Sequence, residues 1–134
     1  MNEEIFNIRK DKERAKSILN TAKERYSLIK IYPRSKIFKI IEEYYEIIKE
    51  CILSLMYLEG VKCLSHLKSI EWFNNNFDIF SRRQIDLVDS LRRLRNGSLY
   101  YGECANKIFL ENNEDEINSL IKILIKFTEE KIKT

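Results

Sequence analysis

The sequence contains little that would interrupt a helix. Of 134 residues only Pro33 is proline and only Gly60, Gly97 and Gly102 are glycine, so breakers mark joints between helices. Long apolar runs are missing too. Every hydrophobic stretch is cut by Lys or Glu well short of the roughly 18 residues that a membrane span needs. The start "MNEEIFNIRK" has two early glutamates and no apolar core, which predicts no secretory signal. Charge of one sign is not in excess: 24 basic against 21 acidic side chains give +3. A bulk polycation is excluded, and any nucleic-acid surface has to be local. Cys51, Cys63 and Cys104 are odd in number and far apart, which predicts free thiols in a reducing cytoplasm. There is no Gly-rich phosphate loop, no Ser-His-Asp set and no cysteine nucleophile with a plausible base.

What is present is helical periodicity and enough apolar residues, 44%, to bury a core. The length fits a single domain over 1–134. Ala15, Ile18, Leu19, Ala22, Tyr26 and Ile29 recur at steps of three and four, predicting a first helix from about Asp11 to Ile31. Pro33 is expected to open a second, reaching Glu59 and stopped by Gly60. Its stripe of Ile37, Ile40, Ile41, Tyr44, Ile48, Cys51, Ile52 and Leu55 is widened by Phe38, Tyr45, Met56 and Leu58, so it should pack on more than one side. A shorter helix follows over Ser65 to Phe73, then "NNNFD" as a loop and a fourth helix over Ser81 to Asn96. A short segment after Gly102 carries Cys104, Ile108, Phe109 and Leu110. The last helix is expected to start at Asn113, capped reciprocally with Glu116. The fold class is therefore all-α, an antiparallel up-and-down bundle of four to five helices.

One residue stands on the wrong face. At about 100° per residue, Arg95 falls on the apolar stripe of the fourth helix beside Val88 and Leu91, whereas Arg93 points away. A guanidinium there needs a partner. A carboxylate from another helix (Glu42, Glu43 or Glu46), a second subunit or a phosphate would serve. Five of the nine arginines lie between positions 82 and 95, and arginine's planar fork suits phosphate and carboxylate alike. A solvated face with one core ion pair is the competing reading. Cys63 and His66 form a Cys-x-x-His pair, but a zinc site needs three or four ligands and neither other cysteine is spaced to complete one. No metal and no cofactor are expected. His66 is expected at the start of the third helix, capped by Ser65 or packed on the second.

The stretches "DKERAKSILNTAKERY", "EEYYEIIKECILSLMYLEGVKCLSHLKSIEWF" and "LRRLRNGSLYYG" together resemble the HEPN domain family, small helical proteins of prokaryotes that often pair with minimal nucleotidyltransferases. The resemblance implies a homodimer whose two signature segments meet in a cleft, working as toxin or as substrate-binding partner in a toxin–antitoxin pair. Many members are metal-independent ribonucleases using an arginine and a histidine. Arg95 and Asn96 match the start of the signature, and Tyr100 followed by Tyr101 stands where the family carries its histidine. Tyrosine is a poor base near neutral pH but can donate a hydrogen bond or stack on a nucleobase. The expected site is thus a nucleotide- or RNA-binding cleft of Arg92, Arg95, Asn96, Tyr100 and Tyr101, with Arg95 and Tyr100 as its catalytic residues if it cleaves RNA. The alternatives are an active endoribonuclease and a non-catalytic interaction module. A related subfamily implies that Tyr100 or Tyr101 accepts AMP from the partner enzyme. In an unbroken helix Arg95 and Tyr100 would project about 140° apart, so they converge only if the backbone turns at Gly97 or across a dimer.

Overall fold

The computed structural model describes residues 5–97, 99 and 102–134. It is an all-α bundle of five helices with one small sheet of two strands. The first strand, β1, spans Ile5–Asn7, and α1 follows over Lys12–Ser27. The Asp11 side chain accepts the Arg14 amide at 2.9 Å and starts α1. Its buried face is small, Ala15, Leu19 and Ala22, which lets its backbone lie close to the next helix. A short 3₁₀ turn, Ile29–Ile31, leads on.

The second helix, α2, spans Ile37–Glu59 rather than opening at Pro33. Tyr32, preceding the proline, is extended, as a pre-proline residue prefers. Pro33 sits instead in a turn closed by its carbonyl accepting the Lys36 amide at 2.9 Å. As expected, α2 packs on several sides, touching all four other helices. Phe38 does not join the core and is exposed. Gly60 ends α2 in the left-handed conformation, φ 76°. A Cβ there would lie 2.8 Å from the Ile8 carbonyl oxygen, so backbone conformation and space both demand glycine.

Gly60 leads into β2, Val61–Cys63, which pairs antiparallel with β1, Ile5 opposite Cys63. Two three-residue strands carry too little periodicity to register in the sequence. The third helix, α3, spans His66–Phe77 with Ser65 as its N-cap. It takes in most of the stretch expected as a loop. Phe77 packs its ring 5.5 Å from Trp72 and 5.3 Å from Phe127, and this apolar anchor outweighs the weak helix propensity of three asparagines. Asp78, with φ 44°, then ends it.

The fourth helix, α4, spans Arg82–Asn96 and begins with a reciprocal Ser81–Gln84 capping box. The fifth, α5, is continuous over Glu103–Lys133. The expected start at Asn113 is replaced by an uninterrupted helix because Leu110 and Ile117, two turns apart, are both fully buried on one stripe. Asn113 caps nothing; its side-chain amide donates to the Phe109 carbonyl one turn earlier at 2.8 Å. Among the described residues no helix is long and apolar enough to cross a membrane.

Candidate functional site

The α4 stripe of Leu87, Val88, Leu91 and Leu94 is buried against the bundle, and Arg95 closes its C-terminal end. The carboxylate that meets it is Glu46 of α2, with Arg95 Nη2 2.9 Å from Glu46 Oε1. Of the three glutamates within reach in the sequence, Glu43 instead takes Arg25 at 2.9 Å and Lys39 at 3.2 Å, and Glu42 takes Lys39 at 3.3 Å. Glu46 is shared: Lys49 Nζ, one turn on, lies 2.8 Å from its other oxygen. The Arg95–Glu46 contact is an ion pair in distance without hydrogen-bond alignment. Glu46 Oε1 and Arg95 Nε are both buried with no hydrogen-bond partner among the described residues. A buried N–H left in that state retains donor capacity.

Arg92 lies one turn earlier, and its Nε donates to Asp89 Oδ1 at 2.8 Å. With its side chain only 16% exposed it is better buried than Arg95 at 34%. Arg93 is exposed, as its position on the helix predicts. Asn96, also exposed, is the last residue of α4. Gly97 is left-handed with φ 84°, and the Leu99 amide reaches back to the Arg93 carbonyl at 3.0 Å. The chain therefore does turn at Gly97. Tyr100 and Tyr101 lie outside the described residues.

A residue distant from α4 in the sequence also belongs to this corner. His66 opens α3 with its ring 5.9 Å from the Tyr45 ring, and Ser65 caps the helix by accepting the Lys68 amide, so both expected placements of His66 hold. Partial burial lowers its pKa below the ordinary 6.5, the charges of Lys49, Arg95 and Arg92 lower it further, and Glu46 opposes them. Nothing in the residues between positions 66 and 92 signals this approach; it arises because α3 and α4 both pack on α2. Burial works to raise the Glu46 carboxyl, but Lys49, Arg95 and Arg25 outweigh it and hold the group below the usual carboxylate range. Tyr45 is pushed well up, chiefly by burial. The corner thus gathers three cations, two carboxylates and an imidazole whose pKa is held below its ordinary value. Among the described residues no group of three or more His, Cys, Asp or Glu is placed to hold a metal ion.

No family model, curated protein or solved structure matches this chain.

Proposed function

We propose that the protein binds a phosphate-bearing ligand, a nucleotide or RNA, where α4 ends against α2, acting as a homodimer beside a minimal nucleotidyltransferase in a toxin–antitoxin arrangement. The family, the partner and the dimer come from the resemblance of the quoted segments. The observation that carries the ligand class is the state of Arg95. Its Nε is buried and has no hydrogen-bond partner among the described residues, and Arg95, Lys49 and Arg92 together outnumber the neighbouring acids Glu46 and Asp89. A phosphate oxygen is the complement of such a surplus. Fluorescence anisotropy with labelled single-stranded RNA and with ATP tests this. Arg95→Ala should weaken binding by about tenfold or more and the exposed Arg93→Ala much less, since a partly desolvated charge contact is worth more than a solvated one. Equal losses in the two variants, or no binding by the wild type, would sink the reading.

Two observations favour other readings. The imidazole of His66, its pKa lowered by burial and by Lys49, Arg95 and Arg92, supports metal-independent RNA cleavage, with His66 rather than a tyrosine moving the proton. Cleavage in chelator that is lost in both Arg95→Ala and His66→Ala would establish it. The Arg95–Glu46 pair supports a module in which the arginine only closes the α2–α4 seam. Arg95→Met that leaves every binding activity intact would select that reading.

A further inference from the structure

A cavity of about 280 Å³ lies beside this corner, between α2, β2 and the start of α3. Its floor is apolar, with Ile52, Met56 and Ile70 each nearly buried beneath it. Its formal charges are of one sign: among the described residues Lys49 and Lys62 line it and no aspartate or glutamate does, while Tyr45, Tyr57, Ser69 and His66 add hydroxyls and an imidazole. Lys62 is exposed at the rim and makes no ion pair among the described residues. Lys49 already has a carboxylate against its ammonium, that of Glu46 at 2.8 Å. A concave apolar chamber with a few convergent polar groups is the usual form of a small-ligand site, and this volume lies just under the usual range, fitting a small ligand. Arg95 does not line it; Lys49 belongs to both the cavity and the corner, so Arg95 is the residue that separates this site from the phosphate reading.

We propose that this cavity binds a small amphipathic carboxylate, its apolar body on the α2 floor and its head on Lys49 and Lys62. Charge complementarity selects the anion. The floor selects an aliphatic body over a short acid, because only buried apolar area makes use of those side chains. The head is assigned as carboxylate because both cations are lysines, point charges without the arginine fork that suits a phosphate, and Lys49 already engages a carboxylate.

The probe is octanoate, followed by calorimetry and by amide chemical shifts on the full chain. Saturable one-to-one binding is expected, with shifts concentrated at Ile52, Met56 and Ile70. Acetate and 1-octanol should each bind at least about tenfold more weakly, lacking the body and the charge respectively. Lys62→Gln, at an exposed position that leaves the core untouched, should weaken octanoate several-fold. Lys49→Met should do so more strongly while the far-ultraviolet spectrum stays helical. Arg95→Ala should bind octanoate normally even where it has lost RNA or nucleotide, which separates failure of this site from failure of the phosphate reading. Absence of saturation at millimolar octanoate would overturn the proposal, as would equal affinity for 1-octanol. Tighter binding of octyl phosphate would overturn the carboxylate assignment. Shifts that follow protein concentration rather than octanoate would assign the chamber to a second copy of the chain and overturn it as well.

Discussion

Ser54 Oγ on α2 donates to the Ala15 carbonyl of α1 at 2.6 Å, with both residues fully buried. The hydroxyl spans a seam that only small side chains allow. Ser54→Ala should cost about 1 kcal/mol, the net worth of one buried hydrogen bond. Ser54→Leu should cost more, roughly 1–3 kcal/mol from overpacking alone. Urea denaturation measures both, and a Leu variant as stable as Ala would show that the seam can open.

Glu43 is 3% exposed and Arg25 lies 2.9 Å from it, while Arg25 Nε also reaches Glu50 at 2.9 Å. Arg25→Ala strips the main cation from two carboxylates, one of them buried, and should destabilise by roughly 3 kcal/mol. The double variant Arg25→Met/Glu43→Leu should recover much of that loss, because an apolar pair carries no unpaired charge. A double-mutant cycle read by thermal melts checks the sign.

Charge reversal at the end of α4 should be position-specific. Arg95→Glu places a second carboxylate against Glu46 and should cost about 2 kcal/mol, whereas Arg93→Glu on the exposed face should stay within about 0.5 kcal/mol. If the proposed dimer forms at this corner, sedimentation should also report dissociation for Arg95→Glu alone.

Gly60 and Gly97 have nearly the same φ, 76° and 84°, but Gly60 has the Ile8 carbonyl in the way and Gly97 has nothing within 4 Å among the described residues. Gly97→Ala should therefore show only the left-handed penalty of about 1 kcal/mol. Gly60→Ala should lose clearly more, since β2 and the chain after β1 have to shift. Paired melting curves would contradict this if the two shifts were equal.

Acid should destabilise the protein in two stages. His66 has a folded pKa below 6.5, so the unfolded chain takes up its proton first, and that share of stability is lost as pH falls from 6.5 through the lower folded value. The facing groups that set it are Tyr45, Glu46 and Lys49 on α2 and Arg92 and Arg95 on α4. For Glu46 and Glu114 burial again opposes ionisation, but their cation partners, and for Glu114 the Arg34 and Tyr44 hydrogen bonds, hold both pKa values below 4.5. Their share is complete above 4.5 and lost as pH falls through the folded values. Melting temperature across pH 7 to pH 3 should show both stages. Glu114→Gln should cost stability at pH 7 and little at pH 3.

The helices were legible where one periodic stripe met one breaker, as at Asp11, Gly60, Ser81 and Gly97. The sequence misleads where polar residues run on within a buried helix. The helix start expected at Asn113 follows from a polar run, "ENNEDE", that interrupts the apolar stripe, while Leu110 before it and Ile117 after it hold α5 together and Glu114 within it turns inward to Tyr44. Likewise "NNNF" is kept helical by Phe77, whose partner Phe127 is 50 residues away and invisible locally. At the site, Arg95 was legible from one helix because its angle relative to Val88 is local. The choice of Glu46 over Glu42 and Glu43 needed the rotation of α2, and the approach of His66 needed the packing of a third helix.

Because α2 is covered by all four other helices, the amides at its centre are screened from solvent, unlike those at its exposed ends. Any partial opening that exposes them must first displace a neighbour. Hydrogen exchange in the centre of α2, around Ile47 to Leu55, is then tied to whole-molecule unfolding, while α3 and the β1–β2 strap are free to exchange through smaller excursions. The corner of Arg95, Glu46 and His66 spans both regimes: its carboxylate is anchored on the slowest-exchanging helix and its imidazole on one that can breathe.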